Sequence, residues 1–287
     1  MATIAVDEYY QAVKIQFANE LPTAGVGFGP GYSKMSYSTS SEWGFAMPAF
    51  ASYELDLFLK NHDKTNAAKK EYEQSLQDER AAYISIASAV GTTYFNVVKL
   101  DKLISLQEEI VKDRKVIYDL MLARNKEGLT STADTVKANK SYIAGKTDLT
   151  EFKKQRTKLL NQLAVLIGEN PINAEKLSRV CFVALNYTGA NPSEIPTDII
   201  TQRPDYLKAE KMVEKAGIDV RVAKKEFLPS FNIGAVAMFL SNDLGSLWTT
   251  KNALAAIGGG LGLPLFTGGR RIANLKLKKD EYERVLN

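Results

Sequence analysis

Glu20-Leu21-Pro22 leads into a Gly-rich alternating stretch, then a second apolar stretch ending Leu55-Asp56-Leu57-Phe58, then a charged segment carrying Lys69-Lys70-Glu71-Tyr72-Glu73. The same order returns far downstream. Glu226-Phe227-Leu228-Pro229 leads into an alternating stretch, then Leu263-Pro264-Leu265-Phe266, then Lys278-Lys279-Asp280-Glu281-Tyr282-Glu283. The landmarks are displaced by 207, 208 and 210 residues. That is far beyond a solenoid period. It predicts a duplicated helix–hairpin–helix unit whose two copies do the same structural job around one axis.

Within each copy the strand signal is period-2 alternation. In the first, Ala24, Val26, Phe28 and Tyr32 share a face opposite Thr23, Gly25, Gly27, Gly29, Gly31 and Ser33. After a polar loop at 36–42, Trp43, Phe45, Met47, Ala49, Tyr53, Leu55 and Leu57 share a face opposite Gly44, Ala46, Ser52, Glu54 and Asp56. In the second, Phe231, Ile233, Ala235, Ala237 and Phe239 align. Beyond the loop at 241–252, Ala255, Ile257, Leu261, Leu263 and Leu265 lie opposite Gly258, Gly260 and Gly262. Aromatic residues mark the strand ends (Trp43, Phe58, Phe231, Phe239, Trp248, Phe266), as interfacial girdles of a membrane barrel do. The alternative is the edge of a β-sandwich. Four strands close no barrel alone, and open edges are not tolerated in lipid, so strands in a membrane require other subunits.

Helical patterning dominates the rest. Residues 60–126 contain no proline and one glycine, Gly91. Leu76, Tyr83, Val90, Val97, Ile104, Val111 and Tyr118 recur every seven residues, the pattern of coiled-coil packing. At 1.5 Å per residue such a helix is about 100 Å long. A second helix over 132–168 carries Leu149, Phe152, Leu159, Leu163 and Leu166, and the turn between the two has Gly128 placed for a left-handed stop. A helix over 204–227 repeats the row as Tyr206, Val213, Val220 and Phe227, beside the small residues Ala209, Ala216 and Ala223. The alternative for all these rows is ordinary bundle core. Residues 169–202, with Pro171, Gly189, Pro192 and Pro196, read as a connector with one small element.

Composition narrows the function. The 287 residues are 45% hydrophobic and 24% charged, with a net charge of +4 spread along the helices and no basic block for nucleic acid. No stretch approaches the ~18 uninterrupted apolar residues of a spanning helix, which leaves a β-barrel open. One cysteine, Cys181, excludes a disulfide framework and multi-cysteine metal sites, and is expected to be structural in an apolar strand at 180–183. The one histidine, His62, is expected in a solvated helix start. No nucleophile–base pairing is apparent, so no enzyme, cofactor or metal is expected. Gly258-Gly259-Gly260-Leu261-Gly262 lacks the Gly-Lys-Ser/Thr of a phosphate loop. The N-terminus shows no signal peptide, the chain stops inside a helical pattern, and the whole reads as a fragment.

Several segments together resemble the TolC-like outer membrane efflux channel family, in order over nearly the whole chain. Ser52-Tyr53-Glu54-Leu55-Asp56-Leu57-Phe58 is similar to that family's strand end. The stretch from Arg124 through Gly128-Leu129-Thr130-Ser131 to Asp134 is similar to its periplasmic tip turn. Gln202-Arg203-Pro204-Asp205 resembles the start of its second repeat. Phe227-Leu228-Pro229-Ser230 and Leu263-Pro264-Leu265-Phe266-Thr267-Gly268-Gly269-Arg270 resemble its second hairpin. The first repeat departs from the pattern where Leu59-Lys60-Asn61 replaces a glycine often found after the Leu-x-Leu-Phe signature.

The resemblance implies a mixed, mainly α chain. Long coiled-coil hairpins would form a periplasmic α-barrel, and two β-hairpins would join a homotrimeric twelve-stranded barrel in the outer membrane. The implied division is 1–20 helix, 21–58 first β-hairpin, 59–168 helical hairpin, 169–202 equatorial connector, 203–228 helix, 229–266 second β-hairpin and 267–287 the start of a descending helix. The small-residue strand face would line the lumen and the apolar face would meet lipid, with Pro22 and Pro229 at helix-to-strand junctions. The implied function is a passive exit duct in a tripartite efflux or type I secretion system. Its partners would be a periplasmic adaptor docking at Gly128, Leu129 and Ser131 and an inner-membrane transporter, and its tip latch Asp134, with Lys137. Those tip residues could equally do no more than close the hairpin, and Asp134 no more than favour a helix start. The rival is a periplasmic coiled-coil adaptor or scaffold without a pore; a pore-forming or phage-type helical protein is a third reading.

Overall fold

In the computed structural model, which describes residues 2–34, 41–184 and 198–287, the chain is mostly helical with one antiparallel sheet. Its elements are α1 (Ala2–Ala18), β1 (Thr23–Val26), β2 (Gly29–Lys34), β3 (Ser41–Leu55), α2 (Lys60–Lys126), α3 (Thr132–Leu166), α4 (Asp198–Thr201), α5 (Pro204–Lys225), β4 (Ser230–Ser241), β5 (Ala253–Gly262) and α6 (Arg270–Leu286). Short 3-10 turns lie at Pro171–Lys176, Phe182–Ala184, Leu244–Ser246 and Thr250–Asn252. Most of the expected polar loop at 36–42, and Gly189, Pro192 and Pro196 of the connector, lie outside the described residues, as does the side chain of Trp43.

The first compact unit is Met1–Ala81 with Pro196–Asn287. Its sheet runs β1-β3-β4-β5, with β2 also paired to β3. β1 and β2 are one interrupted strand. Val26 faces Ala49 and Gly29 faces Ala46, so the register continues across the break. The break falls opposite Pro48. The Gly27 N–H donates to the Pro48 carbonyl at 2.8 Å, but proline has no N–H to return, so the ladder loses one bond there. The sheet is therefore four strands wide. The two copies are joined through β3 and β4, from Phe45 opposite Ser241 to Leu55 opposite Phe231.

Pro22 and Pro229 each stand immediately before the first strand residue, Thr23 and Ser230. Proline ends the helical run and sets φ for extension. At the other junction, the Asp56 carboxylate accepts from the backbone N–H groups of Lys60 at 2.6 Å and His62 at 2.8 Å, satisfying two of the free donors that open α2. Leu59, just before the helix, has φ 55°. Gly269, 210 residues on, holds φ 81° at the N-cap of α6. Both copies thus need a left-handed residue where strand turns into helix. The second uses glycine and the first forces leucine into a conformation that costs it about 1–2 kcal/mol.

Helix contacts in this unit also follow the duplication. Tyr72 on α2 lies 5.7 Å from the Tyr10 ring of α1. Tyr282 on α6, 210 residues on, packs on Gly217 of α5, 207 residues beyond Tyr10. The packing of α2 on α5 has little apolar content. Ala67, Ile218 and Val222 form its buried cluster, Ala216 and Ala223 of the small-residue row are buried, and Ala209 is exposed.

The second unit is Ala82–Ile195. Here the later part of α2 packs antiparallel on α3 around Val97, Leu160, Ala164 and Ala174. Tyr118 and Tyr142 stack at 6.2 Å, and Gln107 donates to the Gly145 carbonyl at 3.0 Å. The seven-residue row is only partly a seam. Val97 is fully buried, whereas Tyr83 is 75% exposed. The expectation for Cys181 is corrected. It is exposed and lies just before a 3-10 turn, not in a strand. The neighbouring Val180 N–H bonds the Tyr94 hydroxyl at 2.9 Å, so it has a partner without any ladder.

Candidate functional site

Three regions carry the features singled out above: the two sheet faces, the α2–α5 contact, and the α2–α3 turn. On one face of the sheet, Ala24, Ala51, Ala235 and Ile257 form a cross-strand row, followed by Val26, Ala49, Ala237 and Ala255. Tyr53 with Ile233 and Leu55 with Phe231 and Leu261 extend it toward the helices. This face is apolar along its whole height. Aromatic contacts close it at both ends, with Phe58 against Phe231 at 6.4 Å and Phe239 against Trp248 at 5.9 Å.

The opposite face has two zones. Near the helices it is small and polar: Thr23, Ser52, Gly234 and Gly258 in one row, Glu54, Asn232 and Gly260 in the next. Toward the loops it carries Gly25, Phe50, Val236 and Ala256, then Pro48, Met238 and Leu254. A Cβ on Gly25 would lie 2.5 Å from the Phe50 ring, so that ring covers the glycine. The uniform small-residue face expected from Gly and Ser positions is thus corrected. Its outer half carries the larger apolar side chains Phe50, Val236, Pro48, Met238 and Leu254.

The α2–α5 contact is an ion-pair ladder. Asp63 meets Lys225 at 2.6 Å, Glu71 meets Lys215 at 3.1 Å and Asp78 meets Lys208 at 2.7 Å. Between them Glu214 takes Lys211 and Lys70, each at 2.7 Å. Hydrogen bonds from Lys211 and Lys70 hold the Glu214 carboxyl below the usual carboxylate range. Those from Lys70 to Glu214 and Glu73 raise the Lys70 ammonium above its ordinary value. Lys211–Glu214 is an i,i+3 pair within α5, whereas the pairs that cross between α2 and α5 were not readable from spacing. His62 sits in the first turn of α2, half exposed, with Nδ1 3.5 Å from Glu20.

At the α2–α3 turn, Gly128 has φ 72°. The Leu129 N–H reaches the Arg124 carbonyl at 2.8 Å and the Gly128 N–H reaches that of Asn125 at 3.0 Å, the paired bonds of a Schellman stop. Leu129 is 77% exposed. Ser131 caps α3, accepting from the Asp134 N–H at 3.2 Å while its hydroxyl donates to the Asp134 carboxylate at 2.7 Å. The structure therefore brings Asp134 to Ser131. Among the described residues no hydrogen bond or ion pair joins Asp134 to Lys137. Among the described residues, too, no group of three or more His, Cys, Asp or Glu is placed to hold a metal ion.

A four-strand sheet with one wholly apolar face, set on long helices and built twice, defines the class: an outer membrane channel fold. The Campylobacter jejuni CmeC outer membrane channel superposes on 99% of this chain with a TM-score of 0.89 at 25% identity, using 62% of its own length. The outer membrane protein VceC of Vibrio cholerae superposes on 100% with a TM-score of 0.86 at 20% identity. Residues 1–169 match the family model of outer membrane efflux proteins, and the chain belongs to that family. Over its whole length it is 26% identical to the probable efflux pump outer membrane protein TtgC of Pseudomonas putida. Over 96% it is 23% identical to the cation efflux system protein CusC of Escherichia coli. These relatives are efflux proteins rather than enzymes. The chain spans about 62% of the length of TtgC and 60% of CusC.

Proposed function

We propose that this chain forms the outer membrane duct of an efflux system, a passive exit driven from the inner membrane. The sheet carries the reading. It is four strands wide, apolar over one full face, and open at both edges, with every residue of β5 exposed. Unpaired backbone is not tolerated in lipid. Identical copies related by a rotation close such a sheet without new sequence, and three copies make a twelve-stranded barrel wide enough for a lumen. The apolar face meets lipid and the two-zoned face lines the passage. Tyr83, Ile84, Ile86 and Phe95, all more than half exposed on α2, support packing of the helices against neighbouring copies in the periplasm, where a helical barrel prolongs the duct.

The exposed turn at Gly128, Leu129 and Ser131 is the contact for a periplasmic adaptor, through which an inner-membrane transporter supplies the energy. Asp134 and Lys137, lacking a bond to each other, face partners on neighbouring hairpins and restrain opening. The names of the relatives support an efflux role. The deciding experiment is the mass of the full-length protein extracted from outer membranes in detergent. A trimer that conducts in planar bilayers is the expected result. A monomer or dimer released without detergent removes the duct reading and leaves a coiled-coil scaffold.

A further inference from the structure

The duplication supplies an internal comparison at the two places where strand meets helix. Thr23 pairs with Ser52 in the first copy and Ser230 with Gly262 in the second. Each pair lines a cavity, of about 440 Å³ in the first copy and about 720 Å³ in the second. Counting on from Ser52 and from Gly262, Glu54 corresponds to Pro264, Asp56 to Phe266, Lys60 to Arg270 and Asn61 to Arg271. Ser230 and Gly262 have the parity of Asn232 and Gly260, so the larger cavity opens on the face assigned above to the passage.

In the first copy two carboxylates answer the positive groups of this junction. Glu54 takes the Lys60 ammonium at 2.7 Å, and Asp56 accepts from the Lys60 and His62 N–H groups that open α2. The second copy has neither acid, and arginines stand where the first has Lys60 and Asn61. Arg270 and Arg271 begin α6, whose first turn holds no acid and whose N-cap makes no side-chain hydrogen bond. Two cations therefore sit at the positive end of a helix, where the dipole disfavours them. The Arg271 Nη1 is shielded from solvent with no acceptor, although buried donors are nearly always paired. Lys64, which lines both cavities, and Arg270 have no side-chain partner among the described residues. The other two lysines of the larger cavity are neutralised, Lys60 by Glu54 and Lys225 by Asp63 at 2.6 Å. The lining keeps one carboxylate, Glu226, engaged by Asn274 at 3.2 Å. Set against the three unpartnered cations, that charge still leaves an excess of two positive charges per copy.

We propose that Lys64, Arg270 and Arg271 form a site for a multiply charged oxoanion in the passage, which does for the second copy what Glu54 and Asp56 do for the first. Guanidinium groups match the oxygens of phosphoryl and carboxylate groups, and the Ser230 hydroxyl and Asn274 amide add neutral donors to the same lining. Repeated by rotation, the sites set a ring of positive charge in the wall, which favours anionic over cationic solutes. The placement in a passage rests on the duct reading above; the charge excess does not.

The test titrates inorganic pyrophosphate into the full-length protein in detergent, followed by calorimetry. Wild-type protein is expected to bind it saturably. Arg270→Gln/Arg271→Gln should bind about tenfold or more weakly, because two charge-assisted donors are lost. Pro264→Glu gives the second copy the acid of the first and should weaken binding in the same direction. Lys69→Gln removes an exposed charge outside the cavity and should change nothing. Equal binding by wild type and the double arginine variant overturns the site, as does equal weakening by Lys69→Gln. In planar bilayers under a potassium chloride gradient, the double variant should shift the reversal potential away from chloride preference. Arginine-dependent binding with identical reversal potentials overturns the placement in the passage. Arginine-dependent binding by a protein that does not conduct overturns the duct alone.

Discussion

The Asp63 carboxylate, in the first turn of α2, accepts a 2.6 Å hydrogen bond from the Lys225 ammonium in the last turn of α5. The same ammonium donates to the Leu59 carbonyl at 3.1 Å. One lysine of the second copy thus binds both sides of the first copy's strand-to-helix turn. Asp63 is buried, and its other cation, Arg221, is 3.6 Å away. Lys225→Met should cost about 1–3 kcal/mol, because it strands a buried charge. A double-mutant cycle with Asp63→Asn should show coupling above about 0.5 kcal/mol in urea unfolding. Additive effects would remove the pair's role.

Leu59 marks a site of avoidable strain. Its φ of 55° suits glycine, its side chain is 55% exposed, and its counterpart Gly269 has the same hand of backbone. Leu59→Gly should raise stability by about 0.5–1 kcal/mol, the relief of left-handed strain less the entropy glycine loses. A lowered urea midpoint would show that Leu59 packing outweighs the strain.

Capping and latching at the tip can be separated. Ser131→Ala removes the cap and should cost about 1 kcal/mol of hairpin stability. If Asp134 also restrains opening, Asp134→Ala in the full-length trimer should raise single-channel conductance while Ser131→Ala leaves it unchanged. Equal conductance gains from both would reduce Asp134 to a capping residue.

Glu214 should make the α2–α5 ladder acid-sensitive. Its folded-state carboxyl is held below the ordinary glutamate value of 4.5 by the hydrogen bonds from Lys211 and Lys70. Its contribution is therefore complete above that value and disappears as pH falls through the lower, folded one. The stability gap between wild type and Glu214→Gln should be constant near neutrality and shrink below the usual carboxylate range. A gap independent of pH would show that the charge is immaterial. Lys70 has the opposite sign: its contribution is complete below 10.5 and lost as pH rises through its raised folded value.

Much of the fold was written locally. Alternation in each hairpin, Pro22 and Pro229 before the strands, and Gly128 at the turn are demands of a few adjacent residues. Duplication at 207 to 210 residues carried the fold class further, because two equivalent units need one solution. The departure at Leu59 was also legible as a missing glycine, though not its left-handed backbone.

What the sequence by itself determined, then, is the order and kind of elements and the family pattern they make, since helix, strand and turn signals act within a few residues. Tertiary structure alone decided that β3 pairs with β4, that Phe50 covers Gly25 on the small face, that Tyr83 leaves the seam, and that Cys181 is exposed. It alone also chose Lys225 for Asp63 among 37 basic residues. Such pairings depend on the register of segments far apart in the chain, and charge or hydropathy at one position cannot specify which distant partner the register will bring to it.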